Sequence, residues 1–423
     1  MSAGMTRAAE LHVWYDGERV GAVHDTTPLA FTYAPEWLAR DGGAFSLAAI
    51  VLRPERQDGP EVQAFFENLL PEGELRHYLS QRTQTTSLYG WLLEVAGDTA
   101  GGFVLLPVGQ PPQPPAYEAT TWPALADALR QRSVAAIDLQ GSDARISLAG
   151  AQDKASLAIF DDGVPRLPRG TAPSTHILKP DIRRLAKVWH SAANETLVMR
   201  IAAACGLPTA EVFYEPHTQA CVVRRFDRLP RPDGTLARLV QYDLCQLAGT
   251  VSERKYEKEG GPGLVQCAAL IRRYSSQPAL DLRHLLNWLF FNLYVGNNDS
   301  HAKNLSVYHL PGRGVMLTPF YDLLCTRLYP GLSPSFAFSI DGESRPGAVT
   351  RTQVEGLATA LNMQPRFVLK LAADLAQRMP GAVAQAMASV RPGLPPAAQD
   401  LADRLQQFVL STTQKTAARL AGV

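Results

Sequence analysis

Apolar and polar residues alternate at the start of the chain. Leu11, Val13 and Tyr15 precede Asp16-Gly17, and Val20 and Val23 follow it. Period-two alternation around an Asp-Gly pair predicts a β-hairpin with a two-residue turn. Helical spacing takes over in "EVQAFFENLLPEGELRHYL", and the segment closes at "GGFVLLPVG". The stretch that follows, "QPPQPPAYEATTWP", is Pro-dense and poor in aliphatic residues, which predicts an extended inter-domain linker. Strand signals return from about Ser142. "ASLAIF-DDG-VPRL" reads as a second hairpin, "THILKP" as a short buried strand and "ACVVRRFDR" as another. Between the last two, Leu197, Ile201 and Ala204 sit at helical spacing with Gly206 as the stop. Beyond about residue 240 the chain turns mainly helical. Leu282, Leu285, Leu286, Leu289, Phe290 and Leu293 mark one helix face, and Leu401, Leu405, Phe408 and Val409 repeat the pattern. The expectation is an α+β fold in four parts: a small module over 1–108, a linker over 109–125, a β-rich lobe over 126–228 and a helical lobe over 229–423.

Composition narrows the function classes. Of 423 residues, 46% are apolar, enough for sizeable cores. Lys and Arg number 41 against 40 Asp and Glu, a net charge of +1, which argues against nucleic acid as an autonomous primary partner. No window approaches the roughly 18 apolar residues of a membrane span, and the start lacks the apolar stretch of a signal peptide. The five cysteines are scattered without CxxC pairing, which predicts free thiols in a reducing cytoplasm.

The chemistry concentrates in "LYVGNNDSHAKN", where an apolar helix opens onto a polar island. Asp299 and Asn304 stand five apart, the spacing of base and metal-ligand Asn in a kinase catalytic loop. A carboxylate can accept a hydroxyl proton, and an amide oxygen is a suitable hard ligand for Mg²⁺. His301 and Lys303 are placed to meet charge on a transferred phosphoryl group. A second acid, Asp322, follows the strand-like "VMLTPFYD". Upstream, Lys179 ends a strand and Glu195 lies in the next helix, the order of an ATP-site lysine and its orienting glutamate. "RRFDR" falls where an extended hinge would offer its backbone to adenine. "SLAGAQDK", 147–154, is a compact loop whose amides could cradle phosphates, although it matches neither GxxxxGK[ST] nor GxGxxG. Each signal alone is also what an ordinary cap or turn leaves behind. Together they run in the order a kinase requires.

As a set, "ISLAGAQDKASLAIF", "HILKP", "NE" at 194–195, "RRFDR", "QYDLCQLAG", "GGPGL", "GNNDSHAKNLS" and "YDLL" resemble the HipA family, Ser/Thr protein kinase toxins of bacterial type II toxin–antitoxin systems. The resemblance extends to "FFENLLPEG" in the N-terminal module. It implies a bilobal protein-kinase-like fold, distantly lipid-kinase-like, with an extra N-terminal subdomain. By residue it implies Asp299, with His301 and Asn304, as the catalytic set, and Asn304 and Asp322 as Mg²⁺ ligands. ATP would be contacted by Ser147, Ala149, Gly150, Ala151, Gln152 and Lys154 of the loop, by Lys179 with Glu195, by Arg224, Phe226 and Asp227 at the hinge, and by His301 and Lys303. Ser147 matches the serine that family members autophosphorylate to switch themselves off. The resemblance further implies a protein substrate such as glutamyl-tRNA synthetase, and growth arrest that favours persistence. It implies a HipB-like helix-turn-helix antitoxin, and operator DNA bound only with that antitoxin. The sequence departs from the family at Tyr242, commonly Glu, and at Arg224, where an acidic residue is frequent; both positions are expected near the nucleotide edge. Two alternatives stand beside this reading: a pseudokinase corepressor acting with a DNA-binding antitoxin, and a small-molecule kinase. The intact Asp299, Asn304 and Asp322 speak against the first.

Overall fold

The computed structural model describes residues 10–40, 43–70, 72, 80, 85–95, 97–131, 154–183 and 185–422. The chain forms two compact units: Met1–Thr175 with Asp227–Glu253, and His176–Phe226 with Arg254–Val423.

In the first unit the expected hairpin is present. Glu10–Tyr15 pairs antiparallel with Glu18–His24, and Asp16 and Gly17 turn at φ +50° and +82°. Positive φ at both turn positions matches the twist of the flanking strands, and Asp-Gly adopts it at low cost. Ala30–Tyr33 and Val104–Pro107 complete a four-stranded sheet. Helix Pro60–Glu67 starts with proline at its first turn, where no backbone N–H is missed. Its Phe66 meets Phe31 at 5.7 Å and its Phe65 meets Phe103 at 5.8 Å. Tyr242 closes this cluster. Its ring lies parallel to Phe103 at 6.2 Å, and its hydroxyl donates to the Ser46 carbonyl at 2.8 Å. Ring and hydroxyl thus both have packing partners within this unit.

The Pro-dense stretch also needs correction. Ala116–Ala119 forms an edge strand paired with Pro165–Arg169, which in turn pairs with Ala155–Ile159. Helix Trp122–Gln131 follows directly. Sequence reading missed the strand because its residues are mostly exposed and carry no apolar alternation. Edge strands tolerate such composition, since one of their sides is unpaired. A buried polar cluster ties the unit together. Asp98 accepts the Ser174 N–H and Oγ–H at 2.9 and 2.6 Å and pairs with Arg228 at 2.7 Å. Asp227 accepts the Gly101 N–H and pairs with Arg228, both at 2.9 Å. Buried charges persist where they are paired and hydrogen-bonded in this way.

The second unit carries the antiparallel strands Val212–Glu215, Ala220–Arg224 and His176–Pro180, in that order. Helix Ser191–Ala204 is buried on nearly every face and packs on the strands and on helix Pro365–Val390. It ends as the sequence predicted. Gly206 takes φ +78°, and the Leu207 N–H reaches back to the Ala202 carbonyl at 3.1 Å. Helix Pro278–Val295 is the centre of the helical part, with Leu282, Leu285, Leu286, Leu289, Phe290 and Leu293 all buried. Pro365–Val390 and Pro396–Ala421 pack around it, each opened by a proline. Among the described residues no helix is long and apolar enough to cross a membrane. All five cysteines are buried free thiols.

Candidate active site

Helix Pro278–Val295 ends at Gly296, with φ +71°. A Cβ there would stand 2.6 Å from the Phe408 ring, so glycine is needed for space as well as for conformation. The two asparagines that follow are fasteners. Asn297 donates to the Asn292 side chain at 2.8 Å and accepts the Asp299 N–H at 3.2 Å. Asn298 takes the Thr326 hydroxyl with its N–H at 2.8 Å and donates its amide to the Ser333 carbonyl at 2.9 Å. The polar island is thus a rigid turn that leaves Asp299 exposed at its tip. Gly296→Ala is expected to cost about 2–4 kcal/mol, from the left-handed backbone and the displaced ring. Urea unfolding reads it.

A short turn, Ala302–Asn304, follows Asp299. Asn304 is buried, and its Nδ2 donates to the Asp299 carbonyl at 3.2 Å. That leaves its amide oxygen outside any hydrogen bond with the described residues. Lys303 gives its carbonyl to the Tyr321 hydroxyl at 3.0 Å, and the same hydroxyl meets Ser306 Oγ at 2.7 Å. Tyr321 therefore fastens the segment leading to Asp322 onto the Asp299 turn. Asp322 itself adopts φ +59°, a left-handed conformation that aspartate tolerates better than most residues.

The three charged residues that sequence spacing nominated do converge. Lys179 Nζ donates to Glu195 Oε1 at 2.6 Å and to Asp322 Oδ1 at 2.8 Å. Lys179 and Glu195 are 6% and 1% exposed, while the Asp322 side chain keeps about a third of its surface open. Burial alone pulls the lysine pKa down, but the two carboxylates outweigh it and hold the ammonium above its ordinary value. Asn194, beside Glu195, locks the far side. Its amide donates to the Cys325 carbonyl and the Tyr329 hydroxyl and accepts the Cys325 N–H at 2.7 Å. The glutamate helix and the segment after Asp322 are one rigid piece.

In the segment expected to act as a hinge, Arg224 is exposed and ion-pairs with Glu211 at 2.9 Å, a surface contact of small energy. Phe226 lies tilted over Tyr321 at 5.8 Å and edge-on to Tyr308 at 5.9 Å. Asp227 is buried in the polar cluster of the first unit. Lys154 is half-buried ahead of strand Ala155–Ile159. Ser147, Ala149, Gly150, Ala151 and Gln152 lie outside the described residues. Sequence reasoning gave no function to Tyr256, whose hydroxyl donates to Asp299 Oδ1 at 2.5 Å and whose ring stands edge-on to His301 at 5.1 Å.

Three comparisons bear on what this arrangement is. Residues 11–106 match the HipA N-terminal domain, and residues 146–383, more than half of the chain, match the HipA-like C-terminal domain. The chain belongs to the HipA family. Among its relatives, Y4mE of Sinorhizobium fredii, named as a candidate kinase, is 38% identical over 78% of this chain and 80% of its own length. The serine/threonine-protein kinase toxin HipA of Shewanella oneidensis is 27% identical over 93% of this chain and 92% of that protein. The HipA of that organism, solved with HipB and operator DNA, has the same fold: TM-score 0.82 at 24% identity, covering 98% of this chain and 99% of that one. The α+β fold expected from the sequence is the HipA fold.

Proposed function

We propose that this HipA-family chain is an ATP-dependent Ser/Thr protein kinase. The observation that carries the reading is the buried Lys179 ammonium held between Glu195 and Asp322, on a segment fastened by Tyr321 to the Asp299 turn. In this reading Lys179 meets the phosphates of ATP, and the backbone at Arg224–Phe226 meets adenine beside the Phe226, Tyr308 and Tyr321 rings. Asp299 takes the proton of the acceptor hydroxyl as that oxygen bonds to the γ-phosphorus. ADP departs with the electron pair of the broken bond. His301 and Lys303 face the phosphoryl charge.

The donor set suits a hard divalent cation: a partly exposed carboxylate at Asp322 and an amide oxygen at Asn304. These two residues would hold Mg²⁺, which neutralises charge on the phosphates. Asp322→Asn is expected to weaken ATP binding about tenfold in Mg²⁺, a loss of about 1.4 kcal/mol, with little change in EDTA. Calorimetric titration with ATP tests this. Equal affinities for the two proteins in Mg²⁺ would remove Asp322 from the metal site.

The wider proposal is a toxin of a toxin–antitoxin module. A HipB-like antitoxin would neutralise it, and near-neutral net charge fits DNA reading by that partner. An aminoacyl-tRNA synthetase, glutamyl-tRNA synthetase above all, is the proposed substrate, with growth arrest and persistence as consequences. Loop residues Ser147 to Lys154 are proposed to hold ATP phosphates. Phosphate on Ser147 would add about −1.5 to −2 charge there and switch the enzyme off.

A further inference from the structure

Tyr256 is held in place by its backbone. Its carbonyl accepts the Glu259 and Gly261 N–H groups, each at 3.0 Å. Gly261 permits this close turn, since a Cβ there would run into the Arg254 carbonyl oxygen. The next residue, Glu257, is bolted down in turn, its two oxygens accepting the Ser339 N–H and Oγ–H at 2.6 Å each. From this fixed turn the phenol reaches Asp299 at 2.5 Å, flanked by His301 at 5.1 Å and by the Lys255 and Lys258 ammoniums at 5.6 and 5.8 Å from the ring. Asp299 Oδ1 is thereby capped by a hydroxyl of the chain itself, at the atom where a substrate hydroxyl would bind. Only the side chain has freedom to leave, because the backbone on both sides is fastened.

We propose that Tyr256 gates the acceptor position: a Ser or Thr hydroxyl carried by a docked protein displaces its phenol from Asp299, and a lone water molecule does not. The inference rests on the phosphotransfer reading above. Capping matters because water can replace the acceptor. With water at Asp299, the γ-phosphoryl bonds to the water oxygen, Asp299 takes the proton, ADP leaves, and ATP is spent without protein modification. A docked protein brings binding energy from its whole surface to displace the phenol, and water has none to bring. Tyr256 thus sets specificity through Asp299 without touching the phosphates.

The test compares wild type, Tyr256→Phe and Tyr256→Phe/Asp299→Asn, each incubated with Mg²⁺ and γ-labelled ATP and no added protein. Released inorganic phosphate and label bound to the chain are measured together. The Phe variant keeps the ring and its packing, and thermal melting checks that it folds as wild type does. Phosphate release at least fivefold above wild type in Tyr256→Phe, abolished in the double variant, is the expected result. Label transfer by wild type with no rise in phosphate release in the variant would overturn the gate alone. Label mapped to Tyr256 would also overturn it, by making the residue an acceptor. Neither label nor phosphate from any of the proteins would overturn the kinase reading, and the gate with it.

Discussion

Replacing Asp299 with Asn is expected to lower the proposed phosphoryl transfer by about 10²–10⁴-fold and to leave the melting temperature within about a degree or two of wild type. The rate effect is the usual worth of a positioned general base. The small stability effect follows from the surroundings. Asp299 is exposed, its carboxylate engages the Tyr256 hydroxyl, and the contacts that build the turn run through its backbone. An amide of the same shape keeps those backbone bonds and strands no buried charge. Steady-state label transfer set beside thermal unfolding separates the two effects. A large drop in melting temperature would mean that the carboxylate is structural.

Lys179→Met is expected to behave in the opposite way, losing both stability and the proposed nucleotide binding. The substitution removes the cation that faces Glu195, a carboxylate only 1% exposed, at 2.6 Å. Breaking one side of a buried pair costs about 3–5 kcal/mol, because the remaining charge loses its compensation. For a chain of this size that corresponds to a fall in melting temperature of roughly 6–15 °C. The double variant Lys179→Met/Glu195→Met is expected to recover a good part of the loss, since no buried charge is then left over. ATP binding stays lost in both. Calorimetric unfolding of the two single variants and the double variant gives the coupling. A double variant no more stable than Lys179→Met would contradict the buried-pair account.

Much of this architecture was legible along the chain, for local reasons. The Asp16-Gly17 turn, the Gly206 stop and the apolar face from Leu282 to Leu293 are each written in consecutive residues, and each stands where its pattern put it. The convergence of Lys179, Glu195 and Asp322 was legible because, with Asp299 and Asn304, they occur in the order of a kinase site. What escaped depends on contacts between distant residues. Asn194 grips Cys325 across 131 positions, and Tyr256 reaches Asp299 across 43. Neither leaves a periodic trace, and an asparagine or a tyrosine in a polar stretch looks like surface. Strand Ala116–Ala119 was hidden because its residues are mostly exposed and follow a Pro-dense stretch, and the salt-bridge cluster around Asp227 because its partners lie far away in the chain. The packing of Tyr242 against Phe103 and Phe65 likewise left no local trace in the sequence.

The most direct measurement is phosphopeptide mapping of purified, phosphatase-treated protein after incubation with Mg²⁺ and labelled ATP. The account predicts label on Ser147 in wild type and none in Asp299→Asn, which would make this chain a live kinase that modifies its own loop. No label in wild type, from protein shown to be unphosphorylated at the start, would contradict it and favour a corepressor that keeps the fold of a kinase without its chemistry.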